Sequence, residues 1–206
     1  TLYWQALQPM ETNYSVFAQL VDEKGQRVAG LDTYPGLGSY PTRRWEVGPV
    51  VKDSLYIPVG AKVDAPRSFG VVVGVADRAR NARLPASRDG QPAGDTAALG
   101  SLFVRPTDPA WQPPNPTGAV FGDAAELAGY ELSAATARPG DALTLTLYWR
   151  ARQPLPADYT VFVHLGDGEP LAAQADGPPL SGLAPTSRWQ PGQLIRETRA
   201  FQVRPD

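Results

Sequence analysis

Apolar and polar positions alternate with a period of two along several stretches of this chain, which predicts strands with one buried face. Leu143, Leu145, Leu147 and Trp149 alternate with Thr144, Thr146 and Tyr148. Tyr14, Val16, Ala18 and Leu20 form a second series, and Phe69, Val71, Val73 and Val75 a third. Residues 50–59, 99–104, 128–133, 159–165 and 195–203 add further expected strands, separated by turn-rich stretches such as Arg138-Pro139-Gly140-Asp141. Helix signals are weak: 123–127 could make one turn, but Gly122 and Gly129 bracket it, and Tyr130 and Leu132 resume the strand pattern. Short strands at this spacing predict an all-β chain of sandwich type.

The same phrase is written twice. Residues 1–20 read TLYWQALQPMETNYSVFAQL and residues 146–165 read TLYWRARQPLPADYTVFVHL, identical at 11 of 20 positions at an offset of 145. Chance would give about one or two. One residue fewer in the next loop changes the offset to 144, and residues 29–48 then match 173–192 at 9 of 20 positions. The shared landmarks are Asp32/Asp176, Pro35/Pro179, Gly38/Gly182, Pro41/Pro185, Thr42/Thr186, Arg44/Arg188, Trp45/Trp189 and Gly48/Gly192. The length change falls beside Glu23, Lys24 and Gly25 in one copy and Asp167, Gly168 and Glu169 in the other, which places a hairpin turn there.

The repeat spacing exceeds half the 206-residue chain, so the residues leading up to Thr146 have no counterpart before Thr1, and those beyond Lys62 have none after Asp206. The expected organisation is therefore two tandem immunoglobulin-like or carbohydrate-binding-module-like β-sandwich units. The first spans 1–105 and lacks its first strands; the second spans 119–206 and lacks its last. Residues 106–118 between them, with Pro106, Pro109, Pro113, Pro114 and Pro116, read as an extended, stiff linker. A unit missing strands has unpaired edges, to be completed by copies of itself or by the rest of a longer chain. A fragment of a longer protein is the favoured expectation.

Composition narrows the function classes. A net charge of −2 provides no basic field for a phosphate backbone or an anionic membrane surface, so nucleic acid is not an expected partner. No window approaches the roughly 18 apolar residues of a spanning helix, so membrane contact by this stretch is not expected either. The absence of cysteine excludes disulfides and thiolate chemistry. Neither a calcium-loop nor a phosphate-loop motif occurs, and no metal or cofactor is expected. The one histidine, His164, has Gln19 as its repeat partner, so a structural or solvent-facing role is expected for it. Hydrolysis of glycosides would need two facing carboxylates roughly 5–10 Å apart, and the acidic residues show no such setting; the chain is expected not to be an enzyme.

Six residues stand out as candidates for ligand binding: Tyr3, Arg44, Trp45, Tyr148, Arg188 and Trp189. In the Tyr-Trp pairs the rings point to opposite faces of a strand. Trp4 and Trp149 share parity with Leu2 and Leu147 and read as core, leaving Tyr3 and Tyr148 free to stack on a sugar ring. In the Pro-Thr-x-Arg-Trp segments, Arg44 and Arg188 could donate to ligand hydroxyls or carboxylates beside Trp45 and Trp189. The same arginines could instead pair with Asp32 and Asp176 to brace a loop, which is the preferred reading.

The string LTLYWRARQPLPADYTVFVHL at 145–165, with PTSRWQPGQLI at 185–195, resembles the soluble β-rich modules of large bacterial membrane proteins. Notable among these are the C-terminal extracytoplasmic regions of glycosyltransferases similar to protein mannosyltransferases. The resemblance covers both copies and carries no catalytic residue. It implies a place outside the cytoplasm, at the cell surface or in a periplasm-like compartment, as part of a larger membrane-attached protein, and a role in engaging carbohydrate or an acceptor. A structural or assembly module of a cell-surface protein or filament is the alternative.

Overall fold

The structure is a computed structural model and describes residues 1–60, 65–166, 168 and 170–205. It is all-β. In chain order the strands are β1 (Leu2–Gln5), β2 (Ser15–Val21), β3 (Arg27–Thr33), β4 (Val50–Asp53), β5 (Arg67–Asp77), β6 (Ala82–Arg83), β7 (Ser87–Arg88), β8 (Gln91–Pro92), β9 (Ala97–Val104), β10 (Ala119–Phe121), β11 (Ala125–Leu132), β12 (Ala142–Ala151), β13 (His164–Leu165), β14 (Ala173–Gln174) and β15 (Leu194–Gln202). Short 3-10 turns occupy Pro35–Gly38, Thr42–Arg44, Pro179–Gly182 and Thr186–Arg188. Among the described residues no helix is long and apolar enough to cross a membrane.

The chain divides into two compact units. One is built from Thr1–Val21, Gln26–Lys62 and Val71–Leu99, the other from Asp22–Gly25, Val63–Gly70 and Gly100–Asp206. In the first unit, among the described residues, β1 pairs only with β4, while β2 lies between β3 and β5 and β6 also pairs to β5. The turn between β2 and β3 falls where the repeat alignment puts it, with Gly25 N–H donating to Asp22 O at 2.9 Å and Lys24 N–H to Asp22 Oδ1 at 3.0 Å. Of the turn expected in the second copy, Asp167 and Glu169 lie outside the described residues.

The second unit holds a four-stranded antiparallel sheet in the order β10-β11-β12-β15 and the two-residue pair β13-β14. Its core gathers Leu147, Trp149 and Ala151 of β12, Ala124 and Ala125, Val163, Leu180, Ala184, Trp189 and Ile195. Trp149 is the centre of an aromatic group, 5.7 Å from the Phe121 ring centroid edge-on and 6.5 Å from that of Trp189. Aromatics supply much of the apolar area that such a core removes from water.

Several expectations change. All seven residues of β2 are buried, not one face of it, and β2 is paired on both edges. The strand expected over 50–59 stops at Asp53, and that over 159–165 is reduced to His164–Leu165. The stretch 123–127 gives no helical turn; Ala125–Leu127 belong to β11. The proline-rich run is not a free linker but is packed within the second unit. Tyr130 N–H donates to Pro114 O at 3.0 Å, Asn115 Nδ2 to Tyr130 O at 2.9 Å, and the Thr117 hydroxyl to Leu127 O. Pro113 and Pro114 also lie so close to Gly129 that a side chain there would collide with them. This explains a glycine in the middle of β11.

Candidate binding cleft

The duplicated landmarks build the same brace in both copies. Thr42 Oγ1 donates to Thr12 O at 3.0 Å and accepts from Tyr14 N–H at 2.9 Å; Thr186 Oγ1 does the same with Ala157 O at 2.9 Å and Tyr159 N–H at 2.8 Å. Trp45 Nε1 donates to Tyr40 O at 3.2 Å, and Trp189 Nε1 to Ala184 O at 2.9 Å. Arg43 N–H is accepted by Asn13 Oδ1 and Ser187 N–H by Asp158 Oδ1. The Ser187 side chain and backbone N–H hold the Asp158 carboxyl below its usual range. The ladders also coincide: Leu2↔Asp53 to Gln5↔Val50 in one copy, Leu147↔Glu197 to Arg150↔Leu194 in the other. Sequence identity between the copies thus maintains a hydrogen-bonded scaffold.

This scaffold decides where the six candidate residues lie. Trp45 and Trp189 are buried with their indole N–H groups spent on backbone carbonyls, so neither offers a stacking face. Arg44 and Arg188 are exposed. The expected braces to aspartate are replaced by others: Asp32 pairs with Arg27 at 2.6 Å, and Asp176 with His164 at 3.0 Å. The His164 hydrogen bond, then that from Val163 N–H, hold Asp176 below the usual carboxylate range.

Tyr3 and Tyr148 diverge. Tyr3 is 68% exposed, as a free residue should be, whereas Tyr148 is 1% exposed. Tyr148 lies on β12, which has β11 beside it where β1 has no strand among the described residues. Its hydroxyl donates to the β11 residue Glu131, and Trp111 of the proline-rich run packs on its ring with centroids 5.6 Å apart. Burial first, then the Glu131 hydrogen bond, push the phenol above its ordinary value, with Arg196 acting in the opposite direction.

One substitution separates the two braces. In the second copy, buried Glu197 accepts from Trp149 Nε1 at 2.8 Å, from Leu180 N–H at 3.3 Å and from Arg199 at 2.7 Å. The first copy has Asp53 at this position. Its Oδ1 still accepts from Gly36 N–H at 3.1 Å, but its Oδ2 and the Trp4 indole N–H are both buried without a partner. The side chain is one methylene too short to serve the turn and the indole together. Extending it by Asp53→Glu is expected to stabilise the first unit by about 1 kcal/mol, the net worth of a satisfied buried hydrogen bond. Chemical denaturation of the variant checks this, and an unchanged or lower midpoint would refute it.

The second unit also carries a cleft of about 460 Å³, lined by Phe103, Arg105, Pro106, Asp108, Trp111 and Arg150 among others. Phe103 comes from the end of β9 and Arg150 from β12, while the proline-rich run forms the remaining wall. Phe103 and Trp111 are part-exposed, with ring centroids 6.4 Å apart. Arg150 is held by Glu126 at 3.1 Å, and among the described residues Arg105 has no ion-pair partner. Asp108 is the one carboxylate among the described lining residues, so this wall does not supply the facing pair needed for glycoside hydrolysis. Among the described residues no cluster of three metal-ligating side chains forms.

None of the cleft residues was among the sequence candidates. The available signal was an aromatic, Trp111, inside a proline-rich run that Arg105 directly precedes. Set against protein-family models, curated proteins and solved structures, the chain matches none.

Proposed function

We propose that this chain is a non-catalytic extracytoplasmic accessory module, built of two tandem immunoglobulin-like β-sandwich units, that engages carbohydrate for an attached membrane glycosyltransferase. The observation that carries the carbohydrate reading is the cleft walled by Trp111, Phe103, Arg105 and Arg150. The apolar face of a sugar ring suits an aromatic wall, and its hydroxyls suit the fixed fork of a guanidinium. Prolines in the wall reduce the ordering cost of binding, since a pre-set backbone loses little entropy when the ligand arrives. The extracytoplasmic placement and the glycosyltransferase association rest on the resemblance of 145–165 and 185–195 to such modules.

Isothermal titration with a panel of neutral and acidic soluble oligosaccharides tests the reading. Binding of at least one class is expected, weakened about tenfold by Arg105→Ala, equal to a loss of about 1.4 kcal/mol. Arg105 is exposed, so this variant leaves the core intact. Absence of binding at millimolar sugar, or binding indifferent to Arg105→Ala and Trp111→Ala alike, would overturn the proposal.

A structural or assembly role is the second reading. It is favoured by β1, which among the described residues has a single strand neighbour and leaves Tyr3 in solvent. Open edges are where sheets recruit further strands.

A further inference from the structure

Among the described residues, 161–165 have one strand neighbour where their repeat counterparts have two. In the first copy β2 is flanked by β3 and β5. In the second, the equivalent segment meets residues 173–177 in the same register: Val161↔Gly177, His164↔Gln174 and Leu165↔Ala173 match Val16↔Thr33, Gln19↔Gly30 and Leu20↔Ala29. Val161, Val163 and Leu165 spend backbone groups on that side, through Val161 N–H to Gly177 O, Ala175 N–H to Val163 O and Ala172 N–H to Leu165 O. Strand alternation therefore turns the backbone groups of Phe162 and His164 toward the other edge, which no strand occupies among the described residues.

The same residue type reports the difference directly. Phe17 is 4% exposed and its counterpart Phe162 is 72% exposed. What buries Phe17 is β5 and its hairpin partner. Gly74 passes the ring so closely that any Cβ there would overlap it, and the Arg83 guanidinium sits 4.6 Å from the ring centroid. Leu165 is likewise exposed where Leu20 is buried. An exposed aromatic ring beside backbone groups turned to an open edge is a template for strand addition.

We infer that the free edge at residues 161–165 is a docking site for an extended partner strand of the β5 type, apolar at alternating positions and carrying glycine against Phe162. This deepens the assembly reading by naming the partner's chemistry, and it is independent of sugar binding. The glycine is the specific demand, since a side chain at that position has no room beside the ring.

The test uses the whole chain and a labelled peptide with the sequence of residues 67–77, RSFGVVVGVAD, followed by fluorescence anisotropy and amide hydrogen exchange. Saturable binding is expected, with the amides of Phe162 and His164 protected on addition. A peptide carrying Gly74→Val is expected to bind at least tenfold more weakly, as is the wild-type peptide to the chain carrying Phe162→Ser, an exposed substitution that leaves the core untouched. No binding, or equal binding of the Gly74→Val peptide, overturns the inference. If the chain instead self-associates through this edge in light scattering, with Phe162→Ser restoring the monomer, the occupant is a second copy. The inference then fails and the assembly reading stands. A monomer that ignores the peptide sinks both.

Discussion

Replacing Glu197 with alanine is expected to cost the second unit about 3–5 kcal/mol of stability, the range seen when one partner of a buried ion pair is removed. Glu197 is almost wholly buried and holds three elements at once: the β12 core residue Trp149, the turn at Leu180 and the guanidinium of Arg199 on its own strand. Arg199 in turn donates to Gly177 O at 2.9 Å and Pro178 O at 3.2 Å, fixing the approach to the turn. Alanine leaves a buried indole N–H and a largely buried cation without their acceptor, and neither is easily hydrated in place. Glu197→Gln keeps an acceptor for the indole while removing the charge facing Arg199, so its loss is expected to be smaller, about 1–3 kcal/mol. Urea unfolding followed by near-ultraviolet circular dichroism measures both. A cost below about 1 kcal/mol for alanine would mean that the three contacts are not energetically coupled.

Trp189→Ala is expected to be similarly severe, about 3–5 kcal/mol, because it removes one of the two tryptophans of the second core and leaves a cavity between Trp149 and the turn. Trp189→Phe separates packing from hydrogen bonding. It fills most of the volume but strands the Ala184 carbonyl that the indole serves, at an expected cost of about 1–2 kcal/mol. Thermal unfolding of the pair gives the comparison. Phenylalanine as damaging as alanine would show that the hydrogen bond, rather than the ring, holds the loop.

The repeat was the most legible part of the chain. Its alignment located the β2–β3 turn, because identity at fixed spacing reports a shared scaffold directly. Chemistry at those positions was less legible, since a duplicated brace and a duplicated binding site leave the same sequence trace; only the indole hydrogen bonds of Trp45 and Trp189 distinguish them. Tyr148 was misplaced for a related reason. Parity along β12 correctly sets it on the face opposite Trp149, but whether that face is wet depends on Trp111, 37 residues away, and on β11. Proline content likewise speaks of stiffness and not of what a stiff segment rests against, so the cleft wall read as a linker.

The carboxylate that ties strand to turn spans the same distance in each copy: 17 residues from Gly36 to Asp53 and 17 from Leu180 to Glu197. A ring of that size closes on roughly the sub-microsecond scale of short-loop contacts, far sooner than a sheet can be assembled from distant strands. The indole that completes the pocket in the second copy comes from 48 residues away. Each copy can therefore gather its turn and terminal strand into a local nucleus and wait for the Tyr-Trp strand to arrive. Only in the second copy does that arrival add an indole bond to the carboxylate, so the second should show the steeper dependence of folding rate on its central tryptophan.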